Sequence, residues 1–352
     1  MPAKPTYSWI NLTGTFDQTE DEIIFRGYDF APLPIPSVSK TNDDKGLDES
    51  AVEPPQPPPE PRGGVGQCMS NQRFTEGSVC VDITFDDIDP NSTAELILDY
   101  DPNSGDMLNA GIGAGSFLSI RLWTKAAPEQ ADKATPSDLQ PTQRWIYLRQ
   151  AGDMSNLQAG RTYHLEVDVR GSVLTVLVDG VEILSGNLRF PLVGRQLGFF
   201  CQNRKDIHFE NFEVKTKRPM AFVVMQLHPP EYEDLFHKVI VPVCEKMGLE
   251  AFRATQTFEP GLIIADIQRK IRQSRVVIAE ISPVNANVYY EVGFTDAIGK
   301  PLILFADGAK VELLPFDVRG FRTIFYENTI GGKERVEETL TEYLKNIMGR
   351  RV

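Results

Sequence analysis

Cysteine, histidine and long apolar runs are all scarce in this chain of 352 residues, which has 4 cysteines and 4 histidines. Cys68, Cys80, Cys201 and Cys244 form no C-x-x-C pair and stand beside no histidine cluster. That spacing excludes a structural zinc centre and a disulfide framework, leaving buried reduced thiols; no metal and no resident cofactor are expected. No stretch reaches the roughly 18 apolar residues of a membrane span. The first residues, MPAKPTYSW, lack the apolar centre of a signal peptide, so a cytoplasmic protein without a membrane partner is expected. Basic residues are also in deficit, 36 Lys and Arg against 49 Asp and Glu, a net charge of -13. This removes the overall footprint for nucleic acid, and any phosphate-bearing ligand must be met by local donors.

What is present suffices for two domains of ordinary globular composition, 41% apolar and 24% charged. The N-terminal half is a succession of short strands: Trp9 to Phe16, Glu22 to Arg26, Ser78 to Phe85, Ala94 to Asp99, Phe117 to Trp123 and Trp145 to Gln150. Leu165, Val167 and Val169 then alternate with Glu166, Asp168 and Arg170, a period of two with one wet face. Gly171-Ser172 turns this strand into Val173 to Val178, and Asp179-Gly180 turns again into Val181 to Leu184. Many short alternating strands with close turns and no helical period predict an all-β sandwich or jelly roll over residues 1–216. Residues 31–66 end in PPQPPPEPRGG and hold too few apolar side chains to offset their ordering entropy, so a mobile loop is expected there. Gly111 to Gly115 has the look of a phosphate loop but leads into a strand, not a helix.

After Thr216-Lys217-Arg218-Pro219 the pattern changes, and residues 220–352 read as α/β. Short apolar runs at Ala221 to Met225, Leu249 to Ala254, Val276 to Ile281, Leu302 to Phe305 and Thr323 to Tyr326 alternate with helical periods. The helices are Glu231 to Met247, kinked at Pro242, then Ile263 to Ile271, Tyr289 to Gly299 and Lys333 to Met348. A flavodoxin-like doubly wound parallel sheet, order 2-1-3-4-5, is the economical arrangement. Its crevice opens beyond the carboxyl ends of the first and third strands.

That topology brings three stretches together: Gln226 to His228, the loop Thr255 to Gly261 with Phe258, and Ser282 to Glu291. Glu291, expected in the first turn of its helix and held ionised by the helix dipole, is the candidate catalytic residue. An ionised carboxylate facing a sugar C1 attacks or stabilises an oxocarbenium-like transition state. With no second catalytic carboxylate in evidence, the pattern favours a leaving group that is already cationic, as nicotinamide is in NAD+. Gln226, Phe258, Gly261, Ser282, Asn285, Asn287 and Tyr290 are the candidate substrate-binding residues; Asn285 and Asn287 serve equally as helix caps.

Two family resemblances extend this reading. GRTYHLEVDVRGSVLTVLVDGVEIL followed by QLGFFCQNRKDIHFENFEV resembles the concanavalin-like jelly rolls of lectins, laminin-G-like modules and some glycan hydrolases. Glu166 and Asp168 imitate a hydrolase pair of that fold, but Arg170 stands where the third acid belongs, so a solvated face is expected. FVVMQL, FEPGLIIADIQRKIRQSRVVIAEIS and NANVYYEVGFTDAIGKPLIL resemble the nucleoside 2-deoxyribosyltransferase-like group and the TIR-like domains of bacterial immunity proteins. The resemblance implies that Glu291 is the catalytic glutamate and that the Phe258–Gly261 loop governs access and assembly. A sheet domain fused to such a module implies a defence effector that cleaves NAD+ to nicotinamide and ADP-ribose or its cyclic form. It implies activation by homo-oligomerisation, on a small-molecule or protein trigger met by the N-terminal domain. A deoxyribosyltransferase and a non-catalytic nucleotide-sensing scaffold remain the alternatives.

Overall fold

Alternation along a strand dictates which face is buried, and in Thr162–Arg170 the core side is Tyr163, Leu165, Val167 and Val169. The computed structural model describes residues 7–30, 62–125, 143–188, 191–226, 230–253, 263–282, 284–310, 320–327 and 329–349. Within them the first strands are β1 (Trp9–Thr13), β2 (Thr15–Gln18), β3 (Glu22–Arg26), β4 (Asp29–Phe30), β5 (Arg62–Phe74), β6 (Gly77–Phe85), β7 (Thr93–Tyr100) and β8 (Met107–Gly113). There follow β9 (Leu118–Lys125), β10 (Gln143–Ala151), β11 (Thr162–Arg170), β12 (Val173–Val178), β13 (Val181–Asn187), β14 (Arg195–Asn203) and β15 (Ile207–Thr216). They make two antiparallel sheets, β1-β5-β14-β7-β8-β9-β10 with β4 beside β5, and β13-β12-β11-β6-β15-β3-β2. One core fills the space between them, drawing Leu96, Leu98 and Phe199 from the first sheet and Val81, Ile83 and Leu165 from the second. This is a jelly-roll sandwich, and the outer face of its first sheet carries a smaller apolar cluster of Met69, Ile97, Met107 and Phe200 with Trp123 and Trp145 against it.

The remainder holds a smaller sheet of five parallel strands: β16 (Met220–Val224), β17 (Glu250–Arg253), β18 (Val276–Glu280), β19 (Leu302–Asp307) and β20 (Thr323–Tyr326). Their order is β17-β16-β18-β19-β20. The helices are α1 (Pro230–Leu235), α2 (Val241–Lys246), α3 (Ile263–Gln273), α4 (Ala286–Ala297) and α5 (Ile330–Gly349). One apolar layer joins α1, α2 and α5 to one face of the sheet, and a second joins α3 and α4 to the other. Pro242 cannot donate to a regular helix, and the chain takes a π-helical turn at Phe236–Ile240, placing the proline at the start of α2. The single kinked helix expected over Glu231 to Met247 is therefore three pieces.

The expected class, an N-terminal jelly-roll sandwich plus a C-terminal flavodoxin-like, TIR-like doubly wound sheet, is corrected. The molecule is largely antiparallel β, with a small parallel sheet of four- to six-residue strands and few helices appended. Periodicity reports the local type of each segment and says nothing of how much of the buried core each layer holds, which is where that expectation failed. Part of the loop expected over residues 31–66 is also corrected, since Arg62 to Gly66 open the long strand β5; residues 31–61 lie outside the described residues. Gly64 and Gly66 suit that position, because a Cβ on either would meet an aromatic ring, of Tyr28 or Phe25, within 2.4 Å.

Sandwich and parallel sheet meet through polar groups. The β11–β12 turn presses on the carboxyl end of α3, where a Cβ on Gly171 would lie 2.2 Å from the Ser274 carbonyl, and Gly171 has φ +56°. Ser172 accepts from Lys300 Nζ at 2.8 Å, and the same ammonium donates to the carbonyls of Arg272 at 2.8 Å and Ser274 at 2.5 Å. Arg275, 1% exposed, reaches across to the Leu192 carbonyl. Glu76 of the sandwich is buried beside both cations, and burial raises its pKa to about 6.

Candidate active site

In α4, Val288, Val292 and Thr295 recur at helical spacing and are buried. The two valines pack with Val277, Ala279 and Leu304 of β18 and β19. Glu291, three residues after Val288, flanks this buried stripe and is half-buried for that reason. Burial pushes its pKa from 4.5 to about 7. Among the described residues no cation or hydrogen-bond donor engages its carboxylate to offset that cost. The expectation that Glu291 sits in the first helical turn and is held ionised by the dipole is corrected. The helix starts at Ala286, Glu291 is its sixth residue, and the terminal dipole fades within the first turn.

The other expected residues divide. Gln226 follows β16 and Ser282 follows β18, and because these strands are parallel neighbours both lie at the same carboxyl edge as the start of α4. Asn285 is the N-cap, its Oδ1 accepting from the amides of Asn287 and Val288, so its side-chain oxygen serves the helix. Asn287 is exposed. Tyr290 is exposed and its hydroxyl accepts from Gln268 of α3 at 2.8 Å. Phe258 and Gly261, with the rest of their loop and His228, lie outside the described residues.

Ser282 is corrected: it is fully buried and fully used. Its hydroxyl donates to Glu280 Oε1 and accepts from the Asp307 amide at 2.6 Å, while its carbonyl accepts from the Tyr232 hydroxyl. The carboxylate at the centre of this network, Glu280, is 2% exposed at the end of β18 and also takes the Ser282 amide at 3.2 Å and the Tyr326 hydroxyl at 3.3 Å. Burial raises its pKa to about 7, partly offset by those donors. The signal that exposes it in the sequence is a lone acid inside the apolar text VVIAEI, where no charge belongs without partners.

A cleft of about 360 Å³ opens at the same edge, between α1 and the start of α5, walled by Glu231, Leu235, Asp307, Tyr326 and Lys333. Glu291 does not line it: the cleft lies on the α1 and α5 side of the sheet, and α4 packs on the other.

The sandwich supplies no competing centre among the described residues. Asp168 is paired with Arg170 at 3.0 Å on the solvated face. Glu95, fully buried, is saturated by Asn109, Ser119 and Arg121, and the Arg121 guanidinium lies 3.7 Å from the ring centre of Trp145.

No family model matches the chain, and no curated protein matches it. Solved structures are similar in part. A carbohydrate-binding module from Bacillus subtilis shares 11% identity over 59% of this chain and 94% of its own, with a TM-score of 0.38. A Bacillus licheniformis beta-glucanase shares 11% over 60% and 92%, with a TM-score of 0.30. A Clostridium botulinum CMP N-glycosidase shares 20% over 35% and 98%, with a TM-score of 0.29. None of them supports a TIR-like C-terminal domain, and that assignment is withdrawn.

Proposed function

We propose that the chain hydrolyses an N-glycosidic bond, with the Glu291 carboxylate facing the anomeric carbon and NAD+ as the substrate. The observation that carries this reading is the state of Glu291: half-buried, raised to about 7, and without a cation or donor among the described residues. A carboxylate left in that condition costs stability, and such costs concentrate at functional sites. Of the other carboxylates at this edge, Glu280 is committed to Ser282 and Tyr326, and Glu231 and Asp307 line the cleft on the opposite side of the sheet from Glu291, beside Lys310. A substrate that needs no acid fits, and the nicotinamide of NAD+ leaves as a neutral base. The C1′–N bond breaks with its electron pair passing to the pyridine nitrogen; water supplies hydroxyl to C1′ and a proton to solvent, giving nicotinamide and ADP-ribose. Internal capture of C1′ in place of water gives the cyclic product. Activation by self-association is part of the proposal, and the concentration dependence of the rate tests it.

The test is chromatographic release of nicotinamide from NAD+ across a range of protein concentrations. Release that climbs per molecule with concentration and falls at least 100-fold in Glu291→Gln supports the reading. Release unchanged in that variant removes Glu291 from the chemistry. Base exchange between deoxynucleosides with NAD+ untouched identifies a transferase, and calorimetric binding of NAD+ without turnover in any assembled state identifies a sensor.

A further inference from the structure

Glu280 is 2% exposed and does not line the cleft, yet a buried carboxylate is costly to keep, and its partners show where its influence goes. Its two oxygens take the Ser282 amide, Oε1 also takes the Ser282 hydroxyl, and Ser282 is bound from outside by the Asp307 amide and the Tyr232 hydroxyl. Ser282 is thus clamped to β18, β19 and α1 at once. Three residues later comes Asn285, the cap on which α4 starts, and six residues after that Glu291. We propose that Glu280 is a positioning residue for Glu291: by holding Ser282 it sets where α4 begins, and hence how deep the Glu291 carboxylate is seated. This rests on Glu291 being the reacting group of the proposed hydrolysis.

The clamp works with Glu280 ionised, because an ionised carboxylate only accepts and all its contacts here are donors. Protonation would weaken the acceptor that the Ser282 amide and hydroxyl and the Tyr326 hydroxyl share on Oε1. The groups facing Glu280 are Ser282 on its own strand end, Tyr326 on β20, Asp307 and Lys310 at and after β19, Tyr232 and Glu231 on α1, and Tyr289 on α4. Lys310 is paired with Glu231 at 2.7 Å and lies 3.8 Å from Asp307, so its charge is shared before it reaches Glu280. Three tyrosine hydroxyls nearest the carboxylate stay protonated at neutral pH, since burial and the charge of Glu280 push all three upward. Glu280 and Glu291 must then both be ionised for turnover, and they titrate in the same range.

The test uses the full chain with Glu280→Gln, Glu280→Asp and Ser282→Ala, and reads NAD+ turnover from pH 5 to 8.5 beside amide exchange of Ser282 to Val292. Expected is a fall of at least tenfold in kcat for Glu280→Gln with KM within threefold, and partial recovery in Glu280→Asp. The acid limb of log kcat against pH should have a slope near two in the wild type and near one in Glu280→Gln. Exchange should quicken over Ser282 to Val288 and not in the sandwich. Unchanged kcat, a slope of one in both proteins, or a fall shared with general loosening overturns the inference. Should Glu280→Gln fail to fold, Ser282→Ala removes the two hydroxyl bonds of the clamp without removing the charge, and must give a kcat fall and quickened local exchange in the same direction. Should the wild type leave NAD+ intact, the proposed reaction fails and exchange alone decides: quickening confined to Ser282 to Val288 upholds the positioning role, and unchanged exchange there ends it.

Discussion

At Glu291 the need for charge and the cost of burial oppose one another, and the sign of the outcome is measurable. Its pKa rises from 4.5 unfolded to about 7 folded, so the folded state binds its proton the more tightly. Below pH 4.5 both states are protonated and nothing is lost; between there and 7 the penalty grows, and above 7 it is complete. Discounted for its partial exposure, the penalty is about 2 kcal/mol. Glu291→Gln should therefore be more stable than the wild type by about that amount at pH 8 and nearly equal to it at pH 4.5, in urea denaturation. A variant that is less stable at pH 8 would mean that an unseen partner stabilises the charge.

Among the elements, α4 is the one on which the site depends, and Asn285 caps its start. Asn285 Oδ1 takes two of the orphan amides of the first turn, and Asn285→Ala should cost about 1 kcal/mol and lower the melting temperature by a few degrees. Asn285→Ser should restore most of it, and no change on either substitution would show that the cap is dispensable. The same region shows what can be read from sequence. The β11–β12 hairpin is legible because alternation leaves one wet face. The central parallel strands β16, β18 and β19 are legible because helices on both sides leave them mostly apolar. Glu280 is not, because a pattern that counts apolar neighbours passes over one acid, and the Tyr326 hydroxyl that explains it lies 46 residues further along. The depth of Glu291 is likewise decided by the true start of α4, and boundaries are what periodicity fixes least well.

For the whole molecule, the text Gly299-Lys300-Pro301 acquires a different meaning from the site. Lys300 is 7% exposed and joins the turn after β11 to the end of α3, all three of its N–H bonds taken by oxygens. Burial draws its pKa down to about 7, against the pull of Glu76. Nothing local in the sequence pairs Lys300 with Ser172, 128 positions away, and only the packed sheets bring them together. Lys300→Met keeps the volume and strands two carbonyls, a loss of about 2–3 kcal/mol. Calorimetry should show the single transition of the wild type moving down and splitting, as the sandwich outlasts the parallel sheet. One unshifted transition would mean that the junction does not couple the two.

The central claim is that Glu291 cleaves an N-glycosidic bond, and nicotinamide release from NAD+ by concentrated wild-type protein and by Glu291→Gln tests it most directly. The account predicts release that rises per molecule with protein concentration, strengthens from pH 6 to 8 as Glu291 ionises, and falls at least 100-fold in the variant. Equal release by both proteins, or none from the wild type at any concentration, would contradict it.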